Sequence, residues 1–173
     1  HIFQDDLDPF HHCCWSRRRF CSKVSRLKKG GFVSLQKEQV INSLKTIESF
    51  LYQEHSVEVE YSPDHKDVYY QDISRIEINS RQNYNSRLNS LLHEAGHVII
   101  RSEVDWESKR FPYMKDQGSF IRGNISHRVD VLREEVMAWE EAKKLVNYLS
   151  LEVDEKLFAR HRTAALKSYI DWV

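Results

Sequence analysis

Along this chain apolar side chains recur every three or four residues in four stretches, and alternate with polar ones in two or three short runs. Val40, Ile41, Leu44, Ile47, Phe50 and Leu51 form the first stripe, the spacing that lines one face of an α-helix. With Ser34 as a suitable N-cap, it predicts a helix from about residue 34 to Glu54. Two alternating runs follow, Ser56 to Tyr61 and Arg75 to Asn79, with Asp67 to Tyr70 as a third candidate after the turn signal Ser62-Pro63-Asp64. They predict a small antiparallel sheet of two or three strands. Leu88, Leu91, Leu92, Ala95, Val98 and Ile99 mark a second helix beginning near Ser86 or Arg87 and ending at Arg101. Val129, Leu132, Val136, Trp139, Ala142, Val146 and Leu149 mark a third from Arg128 to Leu149. A last one, capped by Asp154 and carrying Leu157, Phe158, Ala164, Ala165 and Ile170, reaches about Tyr169 and completes the core. The expected fold is α+β and mostly helical, the sheet packed on the second helix.

Composition narrows the class. At 173 residues the chain suits one domain. Residues 1–33 break every period seen later. They hold all three cysteines (Cys13, Cys14, Cys21) and the basic run Arg17-Arg18-Arg19, and read as an extended or poorly ordered arm before a domain at 34–173. Cysteines confined to such an arm give the fold no disulfide framework, so a reducing, cytoplasmic setting is the simpler expectation. The cluster His11-His12-Cys13-Cys14 lacks the usual Cys-x-x-Cys spacing of a built metal site. Net charge is zero, and the body beyond the arm is mildly acidic, which argues against nucleic acid as its partner. No run approaches the length of a membrane span, and no signal-peptide pattern opens the chain.

Chemistry enters in the second helix. His93-Glu94-Ala95-Gly96-His97 has the form His-Glu-x-x-His. Residues four apart share a helix face, so the two imidazoles can converge on one zinc ion at about 2 Å. Glu94 is placed to act as general base without ligating the metal. Two histidines in so apolar a run are costly unless something satisfies their nitrogens, and a cation does so. A catalytic zinc needs a third protein ligand. The 128–149 helix offers Glu134, Glu135, Glu140 and Glu141, with His127 at its start. Glu135 lies beside the apolar stripe, and Ala138 is small enough to let two helices approach. Glu135 is therefore favoured, with Glu134, which should point more nearly to solvent, second.

The pair of motifs, His93-Glu94-Ala95-Gly96-His97 and Glu135-Val136-Met137-Ala138-Trp139-Glu140, resembles gluzincin metallopeptidases, and more narrowly the compact ImmA/IrrE-type and related phage or mobile-element zincins. The strand Ile76-Glu77-Ile78-Asn79 looks like that group's active-site strand, and the likeness spans roughly residues 56 to 149. It implies one zinc ion held by His93, His97 and Glu135, with Glu94 as base toward a zinc-activated water. Trp139 departs from the pattern, because related peptidases often carry Asp or Asn there to orient a ligand histidine.

The expected activity is hydrolysis of a peptide bond. His127 or Tyr113 is the candidate donor to the oxyanion. The peptide substrate is expected to pair with the sheet edge at Ile76–Asn79. The stretch Ser102 to His127, punctuated by Phe111-Pro112, Gly118 and Gly123, would wall the substrate cleft. Two other readings differ in class: a zinc-binding regulator that kept the metal helix without hydrolysis, and an adaptor working through the basic arm.

Overall fold

The computed structural model describes residues 37–114 and 124–170. The expectations placed on the arm, its cysteines and the Ser34 cap lie outside those residues. Within them the order is α1 (Lys37–His55), β1 (Glu58–Ser62), β2 (Val68–Tyr70), β3 (Arg75–Asn79), α2 (Tyr84–Arg101), α3 (Trp106–Arg110), α4 (Ile125–Tyr148) and α5 (Glu155–Ile170). The fold is α+β and mostly helical, as the periodicities require.

The sheet differs from its expected form. Its order is β1-β3-β2, with β2 antiparallel to β3 but β1 parallel to it. The segment between β1 and β3 reverses direction twice, so β3 returns alongside β1 while β2 is pushed to the far edge. Burial explains why β3 takes the centre. Ile76 and Ile78 are fully buried, whereas β1 and β2 have only exposed or half-buried positions. The strand expected to offer a free edge is therefore the central one. Both its edges are already paired, and an added peptide has no place on it.

Helix α2 starts at Tyr84, two or three residues before the expected point, because Asn83 caps it. The Asn83 side chain accepts from the Ser86 N–H at 3.0 Å. Its apolar face, Leu88, Leu91, Leu92, Ala95 and Val98, packs into one core with Val40, Ile47 and Leu51 of α1 and Ile76 and Ile78 of β3. Trp139, Ala142 and Leu145 of α4 and Phe158 of α5 close that core. Phe158 is the buried residue of α5 and Ala165 and Leu166 pack half-buried against the core, while Ala164 is exposed and Ile170 is 62% exposed, so α5 completes the core with part of its expected stripe. The 102–127 stretch is not wholly irregular, since α3 lies within it.

Helices α2 and α4 meet backbone to backbone. A Cβ built at Gly96 would lie 2.1 Å from the carbonyl oxygen of Ala138. Gly96 thus allows an approach to the backbone of the fully buried Ala138 that any side chain at position 96 would prevent.

Helix α4 is also rotated from its expected orientation. Its buried residues are Asp130, Glu134, Glu135, Ala138, Trp139, Ala142 and Leu145, while Val129 is exposed. In its first half this helix turns its carboxylates inward.

Candidate metal centre

The crossing of α2 and α4 brings His93, His97 and Glu135 together. His97 Nε2 lies 3.3 Å from His93 Nε2. The Glu135 oxygens lie 3.1 Å from His93 Nε2 and 3.6 Å from His97 Nε2. Donor atoms about 2.0–2.1 Å from a tetrahedral zinc are roughly 3.3–3.4 Å from one another. The separations lie within a few tenths of an ångström of that figure, with Glu135 Oε2 the oxygen nearer His93 and Oε1 the one nearer His97. Among the described residues this is the one group of three or more His, Cys, Asp or Glu side chains close enough to hold a metal ion. Glu135 Oε2 is buried without a directed hydrogen bond despite its short distance to His93. A buried carboxylate oxygen with no well-directed donor fits a cation held between these three side chains.

Glu134, expected near solvent, is instead 2% exposed and holds the back of the centre. Its Oε1 lies 3.0 Å from His97 Nδ1 and accepts from Arg101 Nε at 2.7 Å. A carboxylate can only accept there, so Nδ1 carries a proton, and it is Nε2 that gives up its proton and offers a lone pair when a metal binds. This is the partner that Trp139 could not supply. For His93 the substitution has its effect: Trp139 stacks on the imidazole at 4.6 Å and 20°, and His93 Nδ1 is buried with no hydrogen-bond partner. The ring's face is held by packing and its tautomer is left unfixed.

The electrostatics of the metal-free centre follow from this crowding. Burial alone would lower His97, but Glu134 and Glu135 push it up to about 10. Burial alone would raise Glu135, yet the two imidazoles beside it hold it well below the usual carboxylate range. Glu134 is likewise held low against burial by His97 and Arg101. Glu94 moves the other way. Burial raises it, His97 and His93 oppose, and the charges of Glu135 and Asp67 add to the rise. A carboxylate with a raised proton affinity is better suited to proton transfer near neutrality.

Of the candidate donors, neither His127 nor Tyr113 contacts the centre among the described residues. His127 Nδ1 lies 3.1 Å from the Tyr113 carbonyl oxygen, and the Tyr113 side chain is 52% exposed. The residue that does approach is Tyr169 of α5. Burial first, then the charge of Glu135 and a hydrogen bond to it, hold its phenol well above the ordinary range. Its spacing from Ala165 and Leu166, four and three residues back on the apolar face of α5, was the available signal in the sequence. Arg101 was readable in the same way, one helical turn beyond His97.

No family model, curated protein or solved structure matches the chain in comparison. Among the described residues no helix is long and apolar enough to cross a membrane.

Proposed function

We propose that this chain is a zinc-dependent peptidase of the gluzincin kind, with His93, His97 and Glu135 as metal ligands and Glu94 as general base. The observation that carries the reading is the convergence of the two imidazole Nε2 atoms and the Glu135 carboxylate at separations near the edge of a zinc tetrahedron, with a buried carboxylate, Glu94, on the helix that bears both histidines. Zinc bound there supplies Lewis-acid activation of water and of a substrate carbonyl.

The remaining work belongs to the chain. Glu94 accepts the proton of the attacking water and returns it to the leaving amine. Glu134 holds His97 in the ligating tautomer, and Arg101 keeps Glu134 ionised. Tyr169 donates its phenolic proton toward the carbonyl oxygen that gains charge, in place of His127 and Tyr113. The peptide pairs with β2. Among the described residues the outer edge of β2 has no strand partner, and the chain runs beside α2 from Asp67, just before β2 and near Glu94, to Tyr69 of β2, near Arg101.

The test is metal analysis of purified protein together with hydrolysis of an unstructured peptide mixture. Near-stoichiometric zinc and chelator-sensitive cleavage are expected, with cleavage lost and zinc retained in Glu94→Gln. Cleavage that survives Glu94→Gln removes the mechanism. Stoichiometric zinc with no turnover would favour a non-hydrolytic regulator.

A further inference from the structure

A cavity of about 590 Å³ opens at the downstream end of β2, lined by Tyr69, Tyr70, Gln71, Asp72, Arg101, Trp106 and Met114. Arg101 is its one cation. Its guanidinium sits 5.3 Å from the Trp106 ring centroid and 5.9 Å from that of Tyr69. Nε is committed to Glu134, but among the described residues the two Nη groups have no acceptor. A guanidinium has five N–H donors in a fixed fork, matched to a carboxylate approached edge-on. The side chain is 22% exposed, so ring faces shield it partly from water while its fork stays reachable. Asp72, the only acidic lining residue, stands on an exposed turn where solvent screens it.

We infer that this cavity is a specificity subsite for a carboxylate on the substrate, read by Arg101 between Tyr69 and Trp106. The inference rests on the peptidase reading for the bound molecule being a peptide. Its distance from the chemistry follows from helix geometry. Arg101 is seven residues beyond Glu94, a rise of roughly 10 Å, which about three residues of extended peptide span. The carboxylate therefore belongs to a residue two or three positions from the scissile bond. It is supplied by an Asp or Glu side chain, or by the peptide's own C-terminus.

The experiment uses zinc-loaded full-length protein and a peptide set in which one Glu is walked along an otherwise neutral sequence. Each peptide is paired with its Gln counterpart, and with free-acid and amidated C-termini. The expected result is a preference of tenfold or more in kcat/KM for the carboxylate at one position, falling to near unity in Arg101→Gln and partly restored in Arg101→Lys. Dependence on the free C-terminus rather than on Glu identifies the terminal source. If Arg101 serves only to neutralise Glu134, its replacement slows Glu and Gln peptides by the same factor, and that result overturns the inference. Equal rates for all pairs in the unaltered protein overturn it without any variant. Binding of the same peptides, dye-labelled, to zinc-loaded Glu94→Gln separates the two readings. Carboxylate-dependent binding with no hydrolysis by the unaltered protein sinks the peptidase and keeps the subsite. Hydrolysis without carboxylate preference does the reverse.

Discussion

At Gly96 the helices that carry His93, His97 and Glu135 touch, and a single methyl group placed there tests how the centre is assembled. The Cβ of Gly96→Ala would sit 2.1 Å from Ala138 O, 2.8 Å from Ala138 C and 3.0 Å from Ala138 Cα. Carbon–oxygen contacts settle at 3.3–3.6 Å, so the helices must part by roughly 1 Å. All three obstructing atoms are backbone, and no side chain can swing away. Alanine is better than glycine inside a helix by about 1 kcal/mol, whereas forcing an extra methyl into a packed contact costs about 1–3 kcal/mol or more. With backbone on both sides the upper end applies, which leaves a net loss of about 2 kcal/mol. At about 2–4 °C per kcal/mol for a chain of this size, that is a fall in Tm of roughly 4–8 °C.

The larger effect concerns the metal. Glu135 lies three residues before Ala138 on the displaced helix, and ligand distances tolerate only about ±0.2 Å. Zinc affinity, measured by competition with a chromogenic chelator, is expected to fall at least tenfold. The rise in Tm on adding zinc, about 2.7 kcal/mol of stabilisation at one hundred times Kd, should shrink at the same free zinc. If Gly96→Ala melts higher than the parent and binds zinc equally well, the close crossing is not what positions Glu135.

Other outcomes test the remaining parts of the centre. Glu134→Gln removes the charge behind His97 and should weaken zinc about 10–100-fold in the same competition assay; unchanged affinity would deny it that role. Tyr169→Phe should slow peptide cleavage by about 10²–10³ in kcat with zinc content unaltered, and full activity would remove Tyr169 from the site. In chelator-treated protein, His97 at about 10 lies above its ordinary 6.5, so its stabilisation is complete below that value and is lost as pH rises through 10. Glu134 and Glu135 lie below their ordinary 4.5, so theirs is present above it and lost as pH falls through their depressed values. Thermal melts should therefore peak between about pH 5 and 6.5 and decline toward pH 10. A flat profile across that upper range contradicts the assignment. Zinc binding, which releases the His97 proton, should tighten over the same interval.

How far the sequence went can be judged from particular elements. The stripe Val40 to Leu51 and the run Leu88 to Val98 are buried where periodicity placed them, because water expels apolar side chains whatever lies opposite. His93, Glu94 and His97 were legible for a related reason: helix geometry fixes their mutual positions before any tertiary contact exists. Helix α4 marks the limit. Its apolar residues predicted a stripe through Val129, Leu132 and Val136, yet Asp130, Glu134 and Glu135 are the ones buried. Burying carboxylates is prohibitive for a helix considered alone and acceptable only when partners satisfy them. Those partners, His93, His97 and Arg101 on another helix and the Tyr113 N–H for Asp130, come from elsewhere in the chain.

The sequence by itself therefore determined α1, α2, α4 and α5, the three strand segments, the His93–His97 pair and Glu135 as the favoured carboxylate, since each follows from local spacing and from the cost of exposing apolar surface. Only the tertiary structure decided which strand is central, that α3 forms, that Glu134 stands behind His97 rather than in solvent, and that Tyr169 and Arg101 lie beside the cluster. Those outcomes depend on pairing energies between groups distant along the chain, and these exist only once the backbones of Gly96 and Ala138 meet.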